Sequence, residues 1–411
     1  MTLEGLVRAT TPVLSQQAEG ASFLWELRSR AVAEPHYSLA DLAKLDLRVE
    51  ANLDGLRVAG EPAWDVCKEA LSTGESGEVF AAAVLAFESG AADRIQAVLA
   101  APPEFSSAIA SALSWLPLPQ AEPHIQSLLA SSLRRIGIAA SAIHRRDPGP
   151  PLADAIASTD PLLRSRALRA AGELGLDRLF PELYAHLADE DDCCLFSAAW
   201  SATLLADDAK SHSTLKAIAE SNLPDSENAL QLAIRRMEGP AATAWRGKLA
   251  PRPAVVAAGA FGDPSCIPWL LEQMKVPKLA RVAGEAFTMI TGVDIAFEDL
   301  DGDKPEGFKA GPTENPEDED VAMDPDEHLP WPDPALIAKW WGQHEAGFHP
   351  GERYLVGQPI TVPWCRQVLR EGRQRQRAAA ALEIAMREPG QPLFNVAAPG
   401  FRQQQILGLS R

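Results

Sequence analysis

No stretch of this sequence approaches the roughly 18 consecutive apolar residues that a membrane-spanning helix needs, which excludes a helical membrane span. The opening residues, MTLEGLVRATTPVLSQQ, lack the basic stretch and apolar core of a secretory signal, so a cytoplasmic location is expected. Cysteine is scarce as well. None of Cys67, Cys193, Cys194, Cys266 and Cys365 stands in a CxxC spacing, and the one close pair is adjacent, which suits neither a zinc site nor an ordinary disulfide. They read as small buried apolar side chains in a reducing compartment. The histidines form no HExxH and no pair four residues apart, and GxSxG, Walker and dinucleotide-binding glycine motifs do not occur. No catalytic residue, metal ligand or cofactor site is therefore expected, and the chain reads as a non-enzyme.

Positive charge is also short. Against 56 acidic residues stand 38 basic ones, and the formal charge of -18 repels phosphate backbones and anionic membranes over a Debye length of roughly 8 Å. Neither nucleic acid nor a membrane is an expected partner. The acid is uneven: residues 298–327 hold 13 carboxylates against Lys304 and Lys309, a net -11 of that total.

What the sequence does have is alanine and leucine in helical rhythm, with aromatics at only 6%. At Ser38, Ser-Leu-Ala-Asp places a hydroxyl at an N-cap and Asp41 where it reciprocates, and Leu42, Leu45, Val49, Leu53 and Leu56 follow as one apolar stripe. Phe23, Leu24, Leu27 and Ala31 supply a neighbouring face for that helix. Alanine-rich helices then recur at residues 77, 102, 133, 160 and 191, at intervals of about 25 to 31 residues, and again at 277. Each interval fits two short antiparallel helices, the second carrying larger apolar residues. This pattern resembles HEAT repeats. Asp160-Pro161 and Asp263-Pro264 provide an N-cap and a preset first helical residue, while Ala167, Ala170, Ala171 and Gly172 permit close helix approach. The fold expected is all-α, a HEAT-like solenoid of stacked hairpins; an irregular helical bundle is the alternative. The sequence divides into an N-terminal helical unit at 1–72, a repeat region at 73–297, an acidic loop or linker at 298–333 and a C-terminal helical unit at 334–411. Rich in Asp, Glu, Pro and Gly, the acidic segment reads as mobile and dispensable, so that deleting 300–328 leaves melting nearly unchanged.

Several chemical candidates dissolve on inspection. Asp299, Asp301 and Asp303 imitate the start of a calcium loop, but Lys304 stands at its turning position and Ala310 at its bidentate one. His344-Glu345 is a single pair, and His328, His344 and His349 read as exposed loop residues. Trp115, Trp200, Trp245 and Trp269 fall within the repeats as packing residues, whereas Trp331, Trp340, Trp341 and Trp364 flank the acidic segment. Arg366, Arg370, Arg373 and Arg377 share one face if a single helix covers them, although Gly372 argues for a break. The candidate partner-binding residues are Trp340, Trp341, Arg366, Arg370, Arg373 and Arg377, with the arginines suited to the acidic loop or an acidic protein.

Two segments, ASFLWELRSRAVAEPHYSLADLAKLDLRVEANLDGLRVAGEPAW at 21–64 and RYLVGQPITVPW with the arginine-rich helix after it at 353–386, resemble a family of uncharacterised proteobacterial proteins often encoded near type VI secretion genes. The resemblance implies effector handling or another secretion role, without catalytic residues to carry over. Within it His36, Asp46, Arg48, Asp54, Gly55 and Arg57 are motif positions whose plain reading is capping and helix-helix ion pairing. The function expected is a scaffold or adaptor for a protein partner, such as a secretion effector or spike component. An immunity protein neutralising a toxin and a metal-dependent HEAT-like enzyme are the alternatives.

Overall fold

The computed structural model describes residues 3–72, 74–311 and 323–409, with side chains from Thr11 onward. Thr73 and residues 312–322, the middle of the acidic segment, lie outside them. Among the described residues the chain is helical almost throughout, with one two-stranded hairpin, so the all-α expectation holds. No helix among them is long and apolar enough to cross a membrane. Two compact units form. The first comprises residues 1–33, 37–205 and 388–411, and the second comprises 34–36 and 206–387. These limits differ from the sequence-based boundaries: one falls inside the 73–297 region, and the last 24 residues rejoin the first unit.

In the first unit, α1 (Leu3–Ala31), α2 (Leu39–Ala59) and α3 (Glu61–Ala70) precede α4 (Ser76–Ser89), α5 (Ala92–Leu99), α6 (Ser106–Trp115) and α7 (Leu118–Leu129). There follow α8 (Arg134–Ile143), α9 (Pro150–Ile156), α10 (Pro161–Glu173), α11 (Phe180–Ala185) and α12 (Asp192–Leu205). The capping box at Ser38 forms, with Asp41 accepting from the Ser38 amide, and the whole Leu42 to Leu56 stripe is buried. Its expected partner face is met in part: Leu24 and Ala31 are buried and Leu27 is half-buried. Phe23 is 66% exposed, and the aromatic that fills the core is Trp25, stacked on Phe80 with ring centroids 4.8 Å apart. Leu14, Ala18 and Ala21 are buried with it at helical spacing.

The alanine-rich helices pack next but one along the chain, α4 on α6, α6 on α8, α8 on α10 and α10 on α12. Helix α4 is buried on all sides from Val79 to Phe87, whereas α7 buries only Ala121, Ile125, Leu128 and Leu129. One set is therefore an inner layer and the other an amphipathic cover. Asp160 accepts from the Leu162 amide with Pro161 at the first helical position, as expected. Gly172 is required for packing: a Cβ there would lie 2.7 Å from Ser201 Cα. Cys193 is exposed, against expectation, while the other four cysteines are buried, and none of the five is in a disulfide.

The second unit holds α13 (Ala209–Ala219), α14 (Ser226–Arg235), α15 (Gly239–Arg246), α16 (Pro251–Phe261), α17 (Ile267–Gln273), α18 (Pro277–Thr291) and α19 (Pro334–His344). After them come β1 (Tyr354–Leu355), β2 (Gln358–Pro359), α20 (Val362–Glu371) and α21 (Gln374–Arg387). Helix α14 packs on α16 and α16 on α18, around a core that includes Val255, Ile267, Leu270, Phe287, Ile290, Ile337 and Tyr354. The last helix, α22 (Gly400–Ile406), packs against α2 in the first unit.

The acidic segment requires a correction. Its described flanks are built into the second unit instead of standing apart from it. Leu300 and Leu329 are buried, Gly302 donates to the Trp331 carbonyl, and Asp333 donates to the Leu300 carbonyl, so the two ends pair at the base. Asp326 is 5% exposed and is held by Arg252 through two bonds of 2.7 Å, while Arg281 bonds the Asp326 carbonyl and the Asp324 carboxylate. Local acidity hid this, because an excess of carboxylate reads as solvated chain unless the distant arginines are known. Deleting 300–328 is now expected to destabilise the second unit. Asp326→Ala alone, which removes the carboxylate partner of Arg252 but keeps both acceptors of Arg281, should cost about 1–2 kcal/mol; a urea midpoint unchanged from wild type would restore the dispensable-loop reading.

Candidate functional site

The sequence-predicted partner residues do not form one surface. Gly372 separates α20 from α21, so the arginines at 366–377 lie on two helices. Arg366, Arg370 and Arg373 are exposed, but Arg377 is fully buried and donates to the Leu369 carbonyl and the Gln374 side chain. Trp341 is buried in the core beside Ile337. Trp340 is half-buried, edge-on to Phe287 and stacked on His344. Arg377 and Trp341 are thus corrected from surface contacts to packing residues. The ion-paired carboxylates of the described acidic flank, Asp324 and Asp326, meet Arg281 and Arg252, which lie outside the arginine run.

A cleft of about 560 Å³ opens within the second unit. Arg373 lines it; Arg370 does not. One wall is α18, through Glu285, Thr288 and Met289, continuing into Asp294 and Ile295. The facing wall is the α20–α21 junction, through Trp364, Val368, Glu371 and Arg375. His36 and the 327–330 turn complete the rim, with the rings of His36 and His328 edge to face at 5.0 Å.

Local structure fixes each wall. Thr361 caps α20 by accepting from the Trp364 amide, and the Trp364 indole N–H donates to the Leu355 carbonyl at 2.6 Å. The Arg373 amide donates to Gln376 Oε1, which sets the start of α21. The Val356-Gly357 turn of the hairpin seals the carboxyl end of α18: its two amides donate to the Met289 and Ile290 carbonyls. Both turn residues have positive φ, 51° for Val356 and 79° for Gly357. Gly357 adopts this freely, whereas a β-branched residue there is strained. Val356→Asn should therefore stabilise the protein by about 1 kcal/mol. A lowered denaturation midpoint would mean that the apolar contacts of Val356 in the cleft outweigh its strain.

No protein-family model, no curated protein and no solved structure matches this chain. What the cleft can do follows from its own residues. Arg375 donates to both oxygens of Glu285 at 2.8 and 2.9 Å, and Arg373 bonds the His36 carbonyl at 3.0 Å while facing Asp294 at 3.4 Å. Burial raises Glu285 above the ordinary carboxylate range, Arg375 opposing the shift and Asp326 and Glu227 adding to it. Among the described residues no group of three or more His, Cys, Asp or Glu side chains is placed to hold a metal ion. The lining combines apolar floor and paired charge, an arrangement suited to holding a side chain or a short segment of another molecule.

Sequence spacing could not have found this site. Its residues come from five separated stretches, and the sequence points to His36, His328 and the segments holding Val356 and 364–376 separately, with nothing to join them. Of the other motif positions, Asp46, Asp54 and Arg57 take part in ion pairs. Asp46 pairs with Arg28 in the first unit, and Arg57 meets Glu50, Asp54 and Glu88.

Proposed function

We propose that this chain is a non-catalytic helical scaffold that holds a protein partner, each unit being a HEAT-like stack of helical hairpins. The observation that carries the reading is the next-but-one packing of α4, α6, α8, α10 and α12, with α4 buried on all sides from Val79 to Phe87 and the intervening α7 buried on one face only. Stacks of this kind offer long surfaces for recognition without needing converging catalytic groups. The resemblance to proteins encoded near type VI secretion genes supports an effector or spike component as the partner, met in the cytoplasm.

The test is affinity purification of the full chain from its native cells after crosslinking. One protein is expected in near-stoichiometric amount, and its coexpression with this chain should increase its soluble yield. Repeated recovery of the chain alone overturns the scaffold reading.

A further inference from the structure

The charge of the second-unit cleft runs opposite to what its arginines suggest in isolation. Among the described residues the lining holds two guanidiniums, Arg373 and Arg375, and four carboxylates, Glu285, Asp294, Glu327 and Glu371, an excess of two negative charges with the histidines counted as neutral. Both guanidiniums already face carboxylates of the same lining, Arg375 on Glu285 and Arg373 toward Asp294. Glu327 and Glu371 stand exposed at the rim. Deeper in, burial raises Glu285 above the ordinary carboxylate range, Asp326 and Glu227 adding to the shift and Arg375 opposing it. Further positive charge at this wall is favoured, and further negative charge is opposed.

The apolar part of the lining narrows the occupant. Met289, Ile295, Leu329, Val356 and Val368 line the cleft together with Trp364. A cationic head on an aliphatic stem satisfies both parts, since Lys and Arg side chains lay their methylenes on apolar surface and their charge favours an indole face. At about 560 Å³ the cleft is within the range that encloses a drug-sized ligand, or a few side chains of a peptide. The chain's charge of -18 steers such a partner inward at low salt.

We propose that this cleft docks a basic, partly apolar segment of the protein partner, with a lysine or arginine side chain entering between α18 and the α20–α21 junction. The proposal rests on the scaffold reading and reverses the charge of the partner expected from the arginine run.

The test uses the full-length protein and two soluble peptides, one of repeated Lys-Ala-Leu-Ala units and one of repeated Glu-Ala-Leu-Ala units, followed by titration calorimetry. The basic peptide should bind about tenfold or more tightly than the acidic one, and less tightly as salt rises. Glu327→Lys with Glu371→Lys should weaken it about tenfold, whereas Glu182→Lys with Glu190→Lys, equal in charge but exposed in the first unit, should change it less than about twofold. If the Lys pair in the cleft lowers the melting temperature, Glu327→Gln with Glu371→Gln replaces it, with a loss of about threefold expected. Equal losses from the cleft and control pairs, equal binding of the acidic peptide, or no binding of the basic peptide at millimolar concentration overturns the proposal. The scaffold reading stands or falls separately. Recovery of a stoichiometric partner that binds the cleft variants unchanged removes the cleft proposal alone.

Discussion

Glu383→Gln should destabilise the second unit by about 3–5 kcal/mol, enough to shift its melting by on the order of 10 °C. Glu383 is 0% exposed and is the shared counterion of three guanidiniums. Arg235 lies 3.4 Å away on α14, while Arg353 and Arg387 make close ion pairs with the two carboxylate oxygens. Burial by itself would raise Glu383, but Arg353, Arg235 and Arg387 prevail and hold it below the ordinary carboxylate range. Burial pushes Arg235 downward, yet a guanidinium has so high a pKa that it stays charged. A neutral amide retains the shape and removes the only negative charge in that group. Three cations then remain, each also bonded to a backbone carbonyl: Arg235 to Ala260, Arg353 to Phe261 and to Arg235 itself, and Arg387 to Glu383.

The sign of the pH effect follows from the same shift. A carboxylate depressed on folding contributes stability that is present above its unfolded pKa of about 4.3 and is lost as pH falls through the folded value. Wild type should therefore lose stability more steeply below about pH 4.3 than Glu383→Gln does. Adding Arg235→Met to Glu383→Gln should recover part of the loss, because one uncompensated buried cation is removed. Urea unfolding across pH checks all three statements; a midpoint for Glu383→Gln within error of wild type would mean that the cluster contributes nothing net.

Helix identity was legible in this sequence because it is written locally. The Leu42 to Leu56 stripe, the Ser38 cap and the Asp160-Pro161 start each occupy one turn or one face, and each appears where its spacing placed it. Phe23 shows the limit of that local reading: apolar residues at 23, 24, 27 and 31 define a helix, but the row facing inward is chosen by the neighbours and passes through Trp25. The arginine run failed for a related reason. A helical wheel drawn through residues 366–377 unites Arg373 and Arg377, whereas the break at Gly372 leaves Arg373 at the cleft and turns Arg377 into the core. Buried charge was least legible of all. Glu383 sits in an alanine-rich helix like any solvated glutamate, and two of its partners are 148 and 30 residues away.

Arg28→Ala should have the matching effect in the first unit, releasing the chain after residue 388 and costing about 3–5 kcal/mol. Arg28 is buried and bonds three groups: Asp46 at 2.9 Å and the carbonyls of Ala397 and Ala398 at 2.7 Å each. The other oxygen of Asp46 accepts from the Gly400 amide. A Cβ at residue 400 would lie 2.7 Å from Ala43 Cα, so Gly400 is the residue that lets α22 approach α2. Further along, Arg145 holds the Leu393 carbonyl at 2.6 Å and Arg402 reaches the Ser114 and Leu116 carbonyls. The final segment is thus fixed largely through backbone carbonyls, which any residue supplies, and this explains why its own sequence gave little sign of its place. Truncating Arg28 leaves Asp46 buried without its cation and two carbonyls without donors, whereas Asp46→Asn keeps an acceptor for Gly400 and should cost less. Acid should act in the same region: burial and Arg402 lower His144 to about 4, so stability held by its neutral form is lost as pH falls from about 6.5 toward that value. Limited proteolysis at neutral pH distinguishes the outcomes. Arg28→Ala should be cut first between residues 388 and 400 and Asp46→Asn more slowly, while cleavage beginning elsewhere in both would mean that the Arg28 pair does not hold the terminal segment.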